Sequence, residues 1–194
     1  MGQNDSESSV LDVGGISLSW GFPWQALGLR QIENATRRRE TYLSAEERRR
    51  LLGAMQDDIK PMVQAMTLLP FRPAVFAKLV VGAFDQRQAV LRVEHDKKAK
   101  GRYIPLPKET AAVLAKSCAN KQPHESVFAD GNGNPWNKDS WKKAFNKAAA
   151  IADFSAKVSA YTFRHSVITD LISLHDLDTN TVSIISGTSA RIIE

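Results

Sequence analysis

The sequence predicts a mostly α-helical domain with one small antiparallel β-sheet, an α+β arrangement. Apolar residues recur at helical spacing along most of the chain from about Tyr42, and the first of these stretches opens with a capping box at 44–47. The spacing changes to that of β-strands in two short runs, 89–93 and 103–106, which a basic loop separates. We therefore expect a helical chain that is interrupted by a hairpin or small sheet.

Capping and breaking residues set the expected order of the helices. Ser44 as N-cap, with Glu47 reaching back to it, should start a helix that continues to about Met55. Pro70 ends a second helix, and Pro73 suits the first turn of a third. The helices expected after the first cover 59–69, 73–79, 108–119, a stretch capped by Asn137 or Asp139, 161–173 and 179–186, with one more starting at the C-terminus. Residues 126–128 are expected as a short strand or extended link.

Residues 1–36 differ in composition from the rest of the chain. Gly, Ser, Asn and Asp dominate the first stretch, and Gly14-Gly15 is expected to break any regular element. We interpret 1–36 as an N-terminal tail or interdomain linker with little core of its own. Residues 37–194 are then the folded domain.

The charge pattern favours a polyanionic partner. The formal net charge is +5, and the basic residues gather in three regions of the sequence. These are 37–39 with 48–50, then 97–102, then Lys138, Lys142, Lys143 and Lys147. One such run is typical of a solvated surface, but three in one small domain favour contacts with phosphates.

Several classes of protein lack their signature in this sequence. There is no Cys/His cluster with zinc spacing, no glycine-rich nucleotide loop and no Gly-x-Ser-x-Gly motif, so we expect no metal and no cofactor. No apolar run is long enough for a membrane span, and none resembles a secretory signal. The lone Cys118 excludes an internal disulfide and is expected as a buried core thiol. We expect a cytoplasmic protein without a membrane partner.

Two arginines beside apolar segments are the candidate functional residues. Arg72 follows an apolar helix, and Arg164 lies near the start of another. Taken alone, each arginine is typical of a structural salt bridge with a carboxylate of the protein. The other interpretation of a partly buried arginine is that it binds an anion from outside the protein. The basic hairpin that lies between them in sequence favours an anion.

The sequence resembles the catalytic domain of tyrosine recombinases of the phage-integrase type. Four motifs carry the resemblance, in the order that the family has them. They are Leu-Pro-Phe-Arg-Pro-Ala-Val-Phe at 69–76, similar to the first arginine box; Lys-Lys-Ala-Lys-Gly-Arg-Tyr-Ile-Pro-Leu at 97–106, similar to the lysine hairpin; Tyr-Thr-Phe-Arg-His-Ser at 161–166, similar to the His-x-x-Arg-His-Ser box; and 186–194, similar to the run that precedes the nucleophilic tyrosine. Val75 and Pro70 depart from the usual acid and glycine of the first box.

The resemblance implies roles for individual residues. Arg72 and Arg164 would clamp the scissile phosphate, and Lys97, with Lys98 as the second candidate, would be the hairpin lysine that protonates the leaving oxygen. Tyr161 stands where the family often has histidine, and Thr188 stands where it often has histidine or tryptophan. Each of the two residues keeps a hydroxyl that can donate a hydrogen bond. The residues expected to contact DNA are Lys98, Lys100, Arg102, Lys142, Lys143 and His165.

The implied function is site-specific DNA recombination or integration, by strand cleavage and religation through a 3′-phosphotyrosyl intermediate. The implied partners are double-stranded DNA and further protomers, four of which act on paired sites. The family's tyrosine would fall a few residues beyond Glu194, so the chain as written is expected to bind DNA without cleaving it.

Two alternatives remain open. One is a non-catalytic DNA-binding module or decayed integrase, which Val75, Tyr161 and Thr188 favour. The other is an RNA-binding or helical adaptor protein, in which Arg72 and Arg164 lie far apart, each against its own carboxylate.

Overall fold

The helices start at residues that cap or restrict the backbone. The structure is a computed structural model that describes residues 10–12, 17–19, 42–94, 101–154 and 157–193. Ser44 Oγ accepts a hydrogen bond from the Glu47 amide at 3.2 Å, and the Glu47 carboxylate accepts one from the Ser44 amide at 2.8 Å, so the predicted capping box is confirmed. Asn137, not Asp139, caps the later helix, because its Oδ1 accepts from the amides of Asp139 and Ser140, at 3.0 Å each.

The predicted helices are present, with small differences at their ends. They are α1 (Ala45–Gly53), α2 (Lys60–Leu68), α3 (Pro73–Ala77), α4 (Lys108–Cys118), α5 (Lys138–Ile151), α6 (Ala160–Ser173), α7 (Thr179–Ser186) and α8 (Ala190–Ile193). Helix α1 ends at Gly53 and α3 ends at Ala77, each two residues before its predicted end at Met55 or at 79. Gly53 weakens the end of α1. The end of α3 changes to the tighter i→i−3 pattern, with the Lys78 amide donating to Val75 O at 3.2 Å.

The chain divides into two units, Met1–Ala35 and Thr36–Glu194. In the first unit, β1 (Val10–Asp12) pairs with β2 (Ser17–Ser19) in antiparallel register. The sequence did not predict this pairing. Gly14-Gly15, which was expected to break regular structure, lies between the two strands.

A three-stranded antiparallel sheet interrupts the helices of the second unit. Its strands are β3 (Phe84–Asp85), β4 (Val90–Val93) and β5 (Arg102–Pro105), in the order β3-β4-β5. Leu91 pairs with buried Ile104, whereas the next pair, Arg92 and Tyr103, faces away from the core. The predicted pair of strands is confirmed with one-residue shifts. β3 was missed because two residues are too few to show an alternating pattern. Ser126, in the predicted link at 126–128, forms an isolated bridge with Val80.

Helix α2 lies at the centre of the core. It contacts α1, α3, α4 and α6, and it buries Met62, Val63 and Met66 completely or almost so. Aromatic rings extend this core toward α3 and α6. Their ring centroids are 5.5 Å apart for Phe71 and Phe76, 6.2 Å for Phe76 and Phe128, and 6.2 Å for Phe145 and Phe163. Because α3 and α6 contact each other and both contact α2, the helix that follows Arg72 and the helix that carries Arg164 pack on the same part of the core.

A buried ion pair joins the start of the second unit to α6. Arg48 pairs with Asp170, and both are about nine-tenths buried, with 8% of each residue exposed. Arg48 also donates to Leu43 O at 2.8 Å, and the Tyr42 hydroxyl donates to Asp170 Oδ1 at 2.7 Å. The interpretation of 48–50 as part of a phosphate-contacting run is therefore wrong for Arg48. Its charge is neutralised within the core by a residue far away in sequence.

The same region contains a second link to α6. The Leu43 amide donates to Ser166 Oγ at 2.8 Å, and Ser166 Oγ donates to Thr162 O at 3.0 Å. Ser166 is completely buried and lies two residues after Arg164. The chain entering the second unit is thus hydrogen-bonded to the helix that presents Arg164.

Alkaline pH should weaken this contact through Tyr42. Burial, and then the hydrogen bond to Asp170, raise the pKa of Tyr42 above its ordinary value of 10.0. Because the folded pKa is the higher one, the stabilisation is complete below pH 10.0 and is lost as the pH rises through the raised pKa. The stability advantage of the wild type over Tyr42→Phe, measured by urea unfolding, should therefore stay constant up to about pH 10 and shrink as the pH rises further. A difference that also stays constant above this pH would contradict the expectation.

Cys118, expected as a buried core thiol, is only partly buried at the end of α4, and its burial raises the pKa of the thiol.

Among the described helices, none is both long and apolar enough to cross a membrane.

Candidate nucleic-acid interface

Helix α6 presents Tyr161, Arg164 and His165 from its first two turns. Ser159 caps the helix, since its Oγ accepts from the Thr162 amide at 3.2 Å, and Thr162 Oγ1 accepts in return from the Ser159 amide at 3.2 Å. Residues three and four positions apart share a helix face, so Tyr161, Arg164 and His165 lie on the same side. Tyr161 is 53% exposed, whereas Arg164 and His165 are partly buried.

The guanidinium of Arg164 joins two distant segments. Its Nε donates to Pro70 O at 2.9 Å, and its Nη2 donates to Ser186 O at 3.1 Å and to Thr188 Oγ1 at 2.7 Å. These three acceptors are neutral oxygens, and together they orient the guanidinium plane.

The Pro70 carbonyl brings the first arginine box to Arg164. Leu69 and Arg72, which lie between α2 and α3, are both extended, because each precedes a proline. Arg72 is the N-cap residue of α3, partly buried, two residues after the carbonyl that Arg164 contacts. This contact argues against the alternative in which the segments of Arg72 and Arg164 lie on distant surfaces.

The turn after α7 supplies the other acceptors. Asp178 caps α7 through a 2.9 Å hydrogen bond from the Thr181 amide, and hydrogen bonds from the Thr181 side chain and backbone lower the pKa of Asp178. Gly187 ends the helix with φ +70°, a conformation that glycine adopts readily. The turn buries Thr188, whose amide donates to Ser186 Oγ at 3.2 Å and whose hydroxyl meets Arg164.

Arg102 reaches the same turn from the sheet. It is the first residue of β5, and its Nη2 donates to Ile185 O at 3.3 Å. Its Cζ lies 5.6 Å from the centroid of the Phe71 ring, beside Arg72 in sequence. Residues from all four predicted motifs therefore meet around the turn 185–188.

The remaining predicted site residues have different positions. Lys97, Lys98 and Lys100 lie outside the described residues. Lys142 and Lys143 are exposed on α5, outside its buried face, and the contacts described for this part of the chain do not join them to Arg164. Within the described ranges, no group of three or more histidine, cysteine or acidic residues could hold a metal ion.

Sequence reasoning missed the acceptors of this site and the support behind it. Pro70 and Ser186 contribute backbone carbonyls, which leave no mark on residue type. Arg48 was assigned to a basic run, and its partner Asp170 was not singled out. The one available signal was the Ser-Gly pair at 186–187, since serine and glycine are typical of a tight turn after a helix.

Comparison with solved structures identifies the fold. The crystal structure of XerA recombinase aligns with a TM-score of 0.67 at 16% identity, over 84% of this chain and 60% of that one. The Tn1549 transposon integrase bound to transposon right-end DNA aligns with a TM-score of 0.67 at 14% identity, over 84% of this chain and 62% of that one. A lambda integrase dimer bound to a core site aligns with a TM-score of 0.66 at 13% identity, over 81% of this chain and 49% of that one. The fold is that of tyrosine recombinase catalytic domains.

The family assignment comes from the sequence. The phage integrase family model matches residues 41–189, and the chain belongs to that family. No curated protein matches the chain at a significant level. The chain spans about three fifths of the length of the first two structures that it matches.

Proposed function

We propose that this chain is the catalytic domain of a site-specific recombinase that binds double-stranded DNA and takes part in strand cleavage and religation. The observation that carries the proposal is the position of Arg164, which is hydrogen-bonded both to the first arginine box and to the turn 185–188. The family membership and the recombinase fold support the same conclusion.

The proposed chemistry uses charge and geometry without a cofactor. A tyrosine hydroxyl attacks the DNA phosphorus in line, the 5′ oxygen leaves, and negative charge accumulates on the non-bridging oxygens. Arg72 and Arg164 would stabilise that charge, since a guanidinium is planar, permanently cationic and bidentate. Lys97 would protonate the leaving oxygen. Religation follows the same path in reverse, with the 5′ hydroxyl as nucleophile.

The substituted positions fit supporting roles. Thr188 accepts a hydrogen bond from Arg164, so its own hydroxyl proton remains to be donated to a phosphate oxygen. Tyr161 is exposed three residues before Arg164, from where its hydroxyl would reach the same phosphate. Lys98, Lys100, Lys142, Lys143 and His165 would contact the DNA around this phosphate, and further protomers would assemble on paired sites.

A binding measurement on the chain tests this proposal. Affinity for a duplex of arbitrary sequence, followed by fluorescence anisotropy between about 50 and 200 mM salt, should fall linearly on a logarithmic scale. Arg164→Gln removes one phosphate contact and should lower the magnitude of that slope by about 0.9. Lys116→Gln, at an exposed position in α4, removes the same charge and is the matched control.

Two results would overturn the proposal. One is a chain that does not bind duplex DNA in low salt. The other is an equal effect of Arg164→Gln and Lys116→Gln on the slope, because Arg164 would then contribute only to the general charge. Circular dichroism melting of both variants separates a loss of contact from a loss of fold.

The non-catalytic DNA-binding module is the second candidate. Val75, in place of the usual acid of the first box, favours it. Both candidates predict the salt dependence, and they differ in whether a covalent adduct with DNA forms.

A further inference from the structure

We propose that Arg102 is a positioning residue, which holds the turn 185–188 so that Ser186 and Thr188 remain hydrogen-bonded to Arg164. The inference rests on the proposed function for its consequence in DNA binding, but its structural part does not. It replaces the direct DNA contact that the sequence suggested for Arg102.

The position of Arg102 in the sheet gives it this reach. Arg102 starts β5 and pairs with Val93, the last residue of β4, so it lies at one end of the β4–β5 ladder. From there its side chain crosses to Ile185 O, 83 residues further along the chain, at 3.3 Å. A contact between segments so distant in sequence fixes the sheet and the end of α7 relative to each other.

Consecutive carbonyls at the end of α7 accept from two different arginines. Ile185 O accepts from Arg102, and Ser186 O accepts from Arg164. The last carbonyls of a helix lack intrahelical partners and carry the negative end of the helix dipole, so cations are stabilised there. One helix end therefore aligns both guanidinium groups, and moving the turn moves the partners of Arg164.

The protein packs closely around the guanidinium of Arg102. Its Cζ lies 5.6 Å from the Phe71 ring centroid, which is within the range of a cation–π contact. A Cβ placed on Gly187 would lie 2.8 Å from Nη2, 2.9 Å from Nη1 and 3.1 Å from Cζ of Arg102. The guanidinium thus lies against the backbone of Gly187, with protein atoms as its neighbours, as expected of an internal clamp.

A side chain at position 187 would have two separate effects on this turn. Its φ of +70° disfavours any residue with a side chain, and an added Cβ would displace Arg102. Gly133 has a similar φ of +82°, but an added Cβ there would meet nothing within 4 Å. Gly133→Ala therefore imposes the backbone strain alone and is a matched control for Gly187→Ala.

The first measurement concerns the free protein. In ¹⁵N–¹H spectra of the arginine side chains, the Nε–H of Arg164, which donates to Pro70 O, reports how Arg164 is held. Arg102→Met and Gly187→Ala should both shift this resonance and speed its exchange with water by about threefold or more, whereas Gly133→Ala should leave it unchanged. An unchanged Arg164 resonance in either of the first two variants overturns the inference, whether or not the chain binds DNA.

The second measurement concerns a duplex of arbitrary sequence. Arg102→Met should weaken binding by about threefold or more in the wild-type background and have almost no effect in the Arg164→Gln background, because Arg102 acts through Arg164. If Arg102→Met weakens binding by the same factor in both backgrounds, Arg102 contacts a phosphate in its own right, and the positioning role is overturned. A failure of DNA binding in the wild type would instead count against the proposed function and leave the spectroscopic result standing.

Discussion

Asp170→Asn should lower the free energy of unfolding by about 3 to 5 kcal/mol, because it leaves the charge of Arg48 buried without a counter-ion. Both residues are about nine-tenths buried, and Asp170 also accepts from Tyr42. Typical domains have a total stability of about 5 to 15 kcal/mol, so such a loss would be a large fraction of it. The urea midpoint, followed by circular dichroism, measures the effect.

A second ion pair in the same chain provides the control for Asp170→Asn. Asp57 pairs with Lys60 at 2.8 Å, but the Asp57 side chain is 96% exposed, so Asp57→Asn should not change the urea midpoint measurably. The double variant Arg48→Met/Asp170→Leu, which replaces the pair by apolar side chains, should recover most of the stability that Asp170→Asn loses. A loss below about 1 kcal/mol in Asp170→Asn would show that the pair is not required for the fold.

Arg164→Lys should slow formation of the covalent DNA adduct by about 10²- to 10³-fold in a form of the protein that carries the nucleophilic tyrosine. Lysine keeps the positive charge, but it lacks the planar fork that contacts Pro70, Ser186 and Thr188 together. DNA affinity should change much less than the rate, because the charge is retained. Trapping the adduct on a nicked duplex and separating it by denaturing gel electrophoresis gives the rate.

Arg49→Lys is the matched control for this change, since Arg49 is exposed on α1. An adduct that forms at the wild-type rate in Arg164→Lys would refute the catalytic role of Arg164. If the wild type itself forms no adduct although it binds DNA, the non-catalytic module becomes the better description.

The fold was predictable wherever the information is local in sequence. Ser44 and Asn137 mark the starts of helices because a cap acts within three residues, and α6 was expected within one residue of its observed start at Ala160. β3 was not predictable, because its two residues carry no period. Arg48 was misassigned because its partner, Asp170, lies 122 residues away and only the folded chain brings the two together.

The candidate site was predictable in its residue types and not in its contacts. The order of the motifs singled out Arg72, Arg102, Arg164 and Thr188, and the structure brings their segments together. The acceptors that orient Arg164 include two backbone carbonyls, which any residue would provide. The contacts of Arg102 with Ile185 O and Gly187 join segments that are distant in the chain, and no spacing in the sequence encodes them.

The hydrogen bonds of Tyr42 and Leu43 to α6 decide where this domain can be trimmed. A fragment that began at Ser44 would keep all of α1 and still lose both bonds. Arg48 would also lose the carbonyl of Leu43. The shortest expression boundary that preserves these hydrogen bonds therefore lies before Tyr42.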